Sequence, residues 1–339
     1  MTTAVLAPLS IAPLFYGYML EAVSVKRLLV IAISLLAISE LCIFFAGEFW
    51  IILALRLFQG LIIPAILTAL MTYISTTRKG AAMQHAFSLW VAAAIMGGLS
   101  GRLAAGAIST MFGWRYAFLT LFIFLAASLI LVLRLSPAPK ADFQRLSVHD
   151  ALDTLREPGF MRICLMIACA FFVFASIPNF LPFRLNDISN GISEFRIAVS
   201  YSGLLTGIVI ALASTRLVNF FGSEVRTLKV GLYCLLASVL LFLISDTVVI
   251  FANMFFLCTA FSLLQAICPG YVNKWISNRK AVANGLYISI YYAGGTLGSY
   301  MPGWIYMHFG WNYYILLQML FGLAALFLAY SLRDRVVAH

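Results

Sequence analysis

Eleven apolar runs, each about as long as a bilayer is thick, leave this chain few folds to choose from. A helix rises ~1.5 Å per residue, so about 20 apolar residues cross the hydrocarbon core. The runs cover residues 3–20, 28–46, 50–74, 84–108, 114–134, 160–183, 197–220, 227–245, 248–275, 281–307 and 312–332. Strands of a membrane barrel are only ~10 residues long and alternate in polarity. These runs are longer and apolar all round. Lipid offers no partner to a free backbone N–H or C=O, so each run is expected to be an α-helix.

Composition supports a lipid solvent. The apolar set makes up 63% of the chain, the charged set 10%, and the mean hydropathy is +1.01. A soluble domain is about 45–50% apolar and about 25% charged, and its surface is too large to hide this excess. The apolar run after Met1 lacks a basic leader and a small-residue cleavage site, so it reads as a membrane span rather than a signal peptide.

The net charge of +10 does not point to nucleic acid, because the 22 Lys and Arg are scattered through short loops with no basic stripe. They set orientation instead. With connector 21–27 in the cytoplasm, seventeen Lys and Arg fall on that side, and only Arg115, Arg184 and Arg196 on the other. Arg56 and Arg102 lie within spans. The positive-inside rule then predicts a multi-pass protein of the inner (plasma) membrane, with its C-terminus cytoplasmic and, for eleven spans, its N-terminus outside.

Little speaks for chemistry. The six cysteines sit in apolar runs without a C-x-x-C pair, and the four histidines are far apart. Zinc-ligand spacing, a P-loop, H-E-x-x-H and G-x-S-x-G are all missing from the sequence. The expectation is no enzyme, no metal and no cofactor.

The polar connector 135–159 separates a first half, 1–134, from a second half, 160–339. Ser147 and Asp150 have capping-box-like spacing, which predicts a short interfacial helix through Leu152 and Leu155. The halves are related. Segments 97–119 and 294–316 align without a gap and share ten of 23 residues. Four are glycines of the helix, Gly97, Gly98, Gly101 and Gly106; the others include the run FGW-x-Y. Two parallel repeats joined by a cytoplasmic loop are a transporter plan.

Three further segments carry a resemblance to the major facilitator superfamily. The stretch 17–29, GYMLEAVSVKRLL, resembles that family's loop motif G-x-L-x-D-R-x-G-R-R, with Gly17, Glu21, Lys26 and Arg27 keeping the pattern and Ala22 and Ser24 departing from it. The stretch 52–65 is similar to the fourth-helix motif R-x-x-Q-G, with Arg56, Gln59, Gly60 and Pro64. Gly97, Gly101 and Gly106 resemble the exporter motif of the fifth helix, with Arg102 in place of proline. Together with YY-x-GG at 291–295 and FGWN, the pattern is most similar to the acriflavine-sensitivity (YnfM-like) branch.

The resemblance implies a two-repeat helical bundle of twelve spans, of which this sequence holds five in the first half and six in the second. The family's first helix would then be absent. It further implies a monomeric secondary transporter, expected to export a small organic solute or drug in exchange for protons. The alternatives are a uniporter or importer of the same fold, or a truncated membrane protein that does not transport.

Several residues stand out as site candidates. Charges within a span cost about 2.5–3.5 kcal/mol on the insertion scale, which singles out Glu40, Arg56 and Arg102. Glu40 and Arg56 flank the turn at Glu48 by eight residues each, so they are expected at one depth, as a structural pair or as a proton-coupling pair. Tyr287, Tyr291, Gly294 and Gly298 share a helix face. Their hydroxyls need partners, so this face is expected to turn inward, with Asn179 and Gln265 also polar at depth. In the resembling family these helices line the cavity. Arg56, Gln59, Arg102, Asn179, Gln265, Tyr287 and Tyr291 are therefore the expected substrate surface, and it is aromatic and nearly neutral. Gly97, Gly101, Gly106, Gly294 and Gly298 are expected to let helices pack closely.

Overall fold

The computed structural model describes residues 8–134, 153–189, 201–276 and 280–332, and among them it is all helix and turn. Eleven α-helices have eleven residues or more. They are α1 (Ala12–Ala22), α2 (Val25–Phe45), α3 (Phe49–Thr77), α4 (Gly80–Phe112), α5 (Trp114–Leu133), α6 (Pro158–Ser189), α7 (Leu204–Phe221), α8 (Glu224–Leu241), α9 (Thr247–Trp275), α10 (Lys280–Phe309) and α11 (Trp311–Tyr330). Eight of them, all but α1, α8 and α10, are long and apolar enough to cross a membrane. In α8 the charges of Glu224, Arg226 and Lys229 crowd the first turns. Most of the connector lies outside the described residues, as do Ser147 and Asp150; residues 153–156 are helical.

Local chemistry places the helix ends. Ser24 and Ser223 stand just before α2 and α8, and each hydroxyl accepts the backbone N–H of an arginine three residues on, Arg27 and Arg226. Such a cap satisfies one of the orphan donors of the first turn. Between α4 and α5, and again between α10 and α11, a single glycine turns the chain. Gly113 has φ 97° and Gly310 φ 82°, the left-handed region that other residues avoid. Prolines at 64, 178, 182, 269 and 302 sit inside helices, where neighbouring side chains can serve the freed carbonyls.

The chain divides into two compact units. The first comprises Met1–Lys79, Ser100–Thr154 and Ile276–Ser289; the second comprises Gly80–Leu99, Leu155–Trp275 and Ile290–His339. Helices α4 and α10 each contribute a part to both.

In the first unit α2 lies against α3 and α5. Its stripe Leu28, Leu29, Ala32 and Leu36 meets Ile62, Ala65 and Ala69 of α3 and Ala281 of α10. The start of α10 is tied to the end of α3. Lys280 Nζ donates to the Ser75 carbonyl at 2.6 Å, and the buried Asn284 amide donates to Thr72 Oγ1 and Ser75 Oγ at 3.3 and 3.2 Å.

In the second unit α9 packs on α7 and α8, and α6 on α11. The remainder of α10 lies so close to α6 that a methyl group on Gly294 or Gly298 would overlap the carbonyl oxygens of Ala168 and Phe172. At the α9 crossing, Gly270 makes room for Gln84 of α4, whose amide donates to the Ala266 carbonyl at 3.0 Å. One turn on, Ser88 and Ser214 share a 2.6 Å hydrogen bond.

Candidate functional site

Two polar clusters stand out at depth, one in each unit. The first is built on α2 and α3. Arg56 Nη1 donates to Gln59 Oε1 at 2.7 Å, and its guanidinium lies 4.7 Å over the ring of Phe118. Gln59 is buried; its amide donates to Ser39 Oγ at 3.0 Å, and the Ser39 hydroxyl donates to the Leu36 carbonyl at 2.7 Å. Glu40 is buried beside them, and its Oε2 has no hydrogen-bond partner.

The structure thus brings Glu40, Arg56 and Gln59 together. It does not join the two charges directly. Gln59, three residues after Arg56 and so on the same helix face, takes the guanidinium. An aromatic ring and an amide oxygen satisfy the arginine, which leaves a carboxyl oxygen buried without an acceptor or donor.

The second cluster is built on α6, α9 and α10. Gln265 Nε2 donates to Tyr291 Oη at 3.0 Å. The Tyr291 ring stacks on Phe171 with centroids 4.1 Å apart and planes 4° from parallel. Phe171 stacks on Phe261 at 5.5 Å, and Phe261 on Phe174 at 4.1 Å. Tyr292 stands edge-on to Tyr291 at 5.0 Å. Five rings therefore form one contiguous set that carries no formal charge, and one of them, Tyr291, holds the amide. Offset stacks at these separations are each worth ~0.5–1.5 kcal/mol beyond area burial, and they fix ring orientation. A planar apolar molecule with one or two polar groups matches such a surface.

The remaining candidates separate. Asn179 does not join the Tyr291 cluster; its amide donates to the Ser299 carbonyl at 3.0 Å, eight residues along α10 from Tyr291 and hence ~12 Å away in height. Tyr287 is buried and belongs to the first unit, whereas Tyr291 belongs to the second. Lys26 Nζ donates to the Leu133 carbonyl at 2.7 Å, where a cation complements the end of α5. Gly17 and Glu21 fall in α1 and Arg102 in α4, but the surroundings of Gly17 and the side chains of Glu21 and Arg102 are not described.

Sequence reasoning missed Phe171, Phe174, Phe261 and Tyr292. One signal was available, since Phe261 precedes Gln265 by four residues and shares its face. Phe171 and Phe174 carried none, because residues 163–175 of α6 are apolar throughout.

Comparison with known proteins follows the same lines. The family model described as Major Facilitator Superfamily matches residues 1–269, well over half of the chain. An uncharacterized transporter of Buchnera aphidicola subsp. Schizaphis graminum is 22% identical over 318 residues, which cover 91% of this chain and 76% of that one. The inner membrane transport protein YnfM of Escherichia coli is 25% identical over 320 residues, covering 90% and 74%. Among solved structures, the human organic anion transporter MFSD10 (TETRAN) superposes with a TM-score of 0.80 over 97% of this chain and 82% of its own, at 17% identity, a likeness of fold.

Proposed function

This chain belongs to the major facilitator superfamily, and on that premise we propose that it exports a small amphipathic organic solute in exchange for protons. It is a multi-pass membrane protein, and its general function is transport rather than catalysis. The observation that carries the solute class is the Gln265–Tyr291 hydrogen bond set within stacked rings. A strongly charged ion entering this surface would lose its hydration and gain no counter-charge. A flat aromatic solute would instead exchange one ring contact for another, and its polar group would take over the amide or the phenol.

Proton linkage is read from Glu40. Its carboxyl is buried at depth with Oε2 lacking a hydrogen-bond partner, beside the Arg56–Gln59 hydrogen bond. A modest rearrangement around Gln59 that gives this oxygen a donor, or withdraws one, would release or load a proton. The loop asymmetry of seventeen to three gives the orientation, with connectors 21–27 and 135–159 in the cytoplasm. The YnfM-like branch is the fitting place within the superfamily, on the motifs at 97–106 and 291–295.

The test is efflux of an amphipathic aromatic dye from proteoliposomes under an imposed pH gradient. Flux is expected to rise with the gradient. Tyr291→Phe deprives the Gln265 amide of its acceptor, which costs ~1–3 kcal/mol and translates to roughly a tenfold loss. Glu40→Gln is expected to remove the response to pH while leaving downhill exchange. Flux indifferent to the gradient in the unmodified protein would replace export with uniport. A pH response that survives Glu40→Gln would acquit Glu40 of coupling.

A further inference from the structure

A cleft of about 420 Å³ opens in the second unit, where α6 ends and α10 turns into α11. It is separate from the Tyr291 cluster, since Tyr306 lies fifteen residues, ~22 Å, further along α10. Among the described residues Phe183, Arg184, Asn186, Asp187, Tyr306, Gly310 and Trp311 line it. Arg184 and Asp187 follow the apolar run 160–183 directly, so the cleft stands at the level where a bilayer gives way to water.

Its two charges are held apart by other partners. Arg184 Nη2 donates to Ser245 Oγ at 2.7 Å, and the guanidinium lies 5.4 Å from the ring of Trp311. Trp311 is itself fixed, because its indole N–H donates to the Phe242 carbonyl at 2.7 Å and its ring stacks on Tyr314 at 4.7 Å. The Nε of Arg184 is buried and has no acceptor. Asp187 accepts the hydroxyl of Tyr306 on one oxygen, Oδ2. Gly310 and Trp311 begin α11, where no side chain caps the first turn. An anion is favoured at such a helix start, and here an arginine adds to it.

The cleft therefore offers a donor-rich pole and an acceptor pole one helical turn apart, with aromatic walls between. A simple anion would be repelled by Asp187, and a simple cation by Arg184. We infer that this cleft binds a small zwitterion, its acidic oxygens taken by Arg184 and the start of α11 and its ammonium by Asp187. A phosphoethanolamine group has this chemistry, whether it is free in solution or is the head group of a membrane lipid. Charge-assisted hydrogen bonds at both poles account for affinity, and the fixed distance between them for selection. The inference does not rest on the export reading, as none of its residues belongs to the Tyr291 or Glu40 clusters.

The full chain in nanodiscs decides the matter by native mass spectrometry of retained lipid. Phosphatidylethanolamine is offered against phosphatidylglycerol, which lacks the ammonium, and phosphatidylcholine, whose quaternary nitrogen has no N–H to donate. Retention of phosphatidylethanolamine is expected to exceed both by about tenfold, the ratio that ~1.4 kcal/mol confers. Asp187→Asn should abolish the preference over phosphatidylcholine. Arg184→Gln should lower retention of phosphatidylethanolamine and phosphatidylglycerol alike, and Arg184→Lys should restore part of it. Soluble phosphoethanolamine, followed by calorimetry, identifies the source. Binding with the same sensitivity to Asp187→Asn assigns a free zwitterion, and lipid retention without it assigns a head group. Equal retention of all three lipids with no binding of soluble phosphoethanolamine overturns the inference, as does a preference unchanged in both Asp187→Asn and Arg184→Gln. Asp187 is exposed, so its variant also keeps the test valid should Arg184→Gln fail to fold.

Discussion

Segments 97–119 and 294–316 share ten residues of 23, and the structure makes the same turn from both but packs them differently. In each, a glycine of left-handed φ ends one helix and a tryptophan starts the next. Beyond the backbone they part. Trp311 is 5% exposed, bonded to the Phe242 carbonyl and stacked on Tyr314. Trp114 is 43% exposed and meets mainly its own helix, with the Arg115 guanidinium 4.7 Å over its ring and Phe118 at 5.8 Å. The glycines diverge likewise. A methyl on Gly295 would overlap the Phe171 ring and one on Gly298 the Phe172 backbone, whereas a methyl on Gly98 or Gly101 would meet no atom of the described residues within 4 Å. Identical residues fix a turn locally, through allowed dihedrals. What covers them is decided by neighbours that the segment does not encode.

The tryptophans are the sharpest way to break this comparison. Trp311→Ala removes a buried ring and leaves a carbonyl without its donor, a loss of ~3–5 kcal/mol. Trp114→Ala is expected to cost under ~1 kcal/mol, as surface changes usually do. Thermal unfolding of the purified protein in one detergent reads both. Equal destabilisation would mean that Trp114 is as well covered as Trp311.

The glycines come next. Gly298→Leu must push α10 away from the α6 backbone, and overpacking of that kind costs ~1–3 kcal/mol or more. Gly101→Leu adds a side chain where no atom of the described residues lies within 4 Å, and should leave the melting temperature within a few degrees. A collapse of both variants would place a helix on that face of α4 as close as α6 is to α10.

How far the sequence foretells this molecule follows the same division. Helices were legible because apolar length is a property of the segment; of the eleven runs expected to span, eight give helices that, among the described residues, are long and apolar enough to cross a membrane, and α1, α8 and α10 do not. The equal distance of Glu40 and Arg56 from the turn at Glu48 was legible in the sequence. That Gln59 would take the guanidinium was not, since the choice among three polar neighbours rests on side-chain direction. The aromatic platform was hidden for a physical reason. In lipid a helix can be apolar on its inner and outer faces alike, so Phe171 in a ring stack reads no differently from Phe183, which is exposed. Asn179 read as a cavity residue because a polar group at depth must find a partner; it found a backbone carbonyl of α10.

The smallest expected difference lies at the two serine caps, where the local code should suffice in both copies. Ser24 accepts the Arg27 amide at 3.4 Å and Ser223 the Arg226 amide at 3.1 Å. Each cap belongs to the turn beside it, and replacement of a serine cap by alanine typically costs ~1 kcal/mol. Ser24→Ala and Ser223→Ala should therefore lower stability by nearly equal amounts. One context effect works on the second alone: Glu224 in the first turn of α8 pairs with Lys274 at 2.8 Å and already complements the helix start. That pair should blunt the loss at Ser223 by a few tenths of a kcal/mol, the scale of a partly exposed charge at a helix end. Glu224→Gln removes the compensation, so in that background the loss at Ser223→Ala should grow to match the loss at Ser24→Ala. Chemical denaturation of the four variants measures this. A gap wider than ~1 kcal/mol that persists in the Glu224→Gln background would show that even the caps are set by their surroundings, and the division between local turn and borrowed packing would fail.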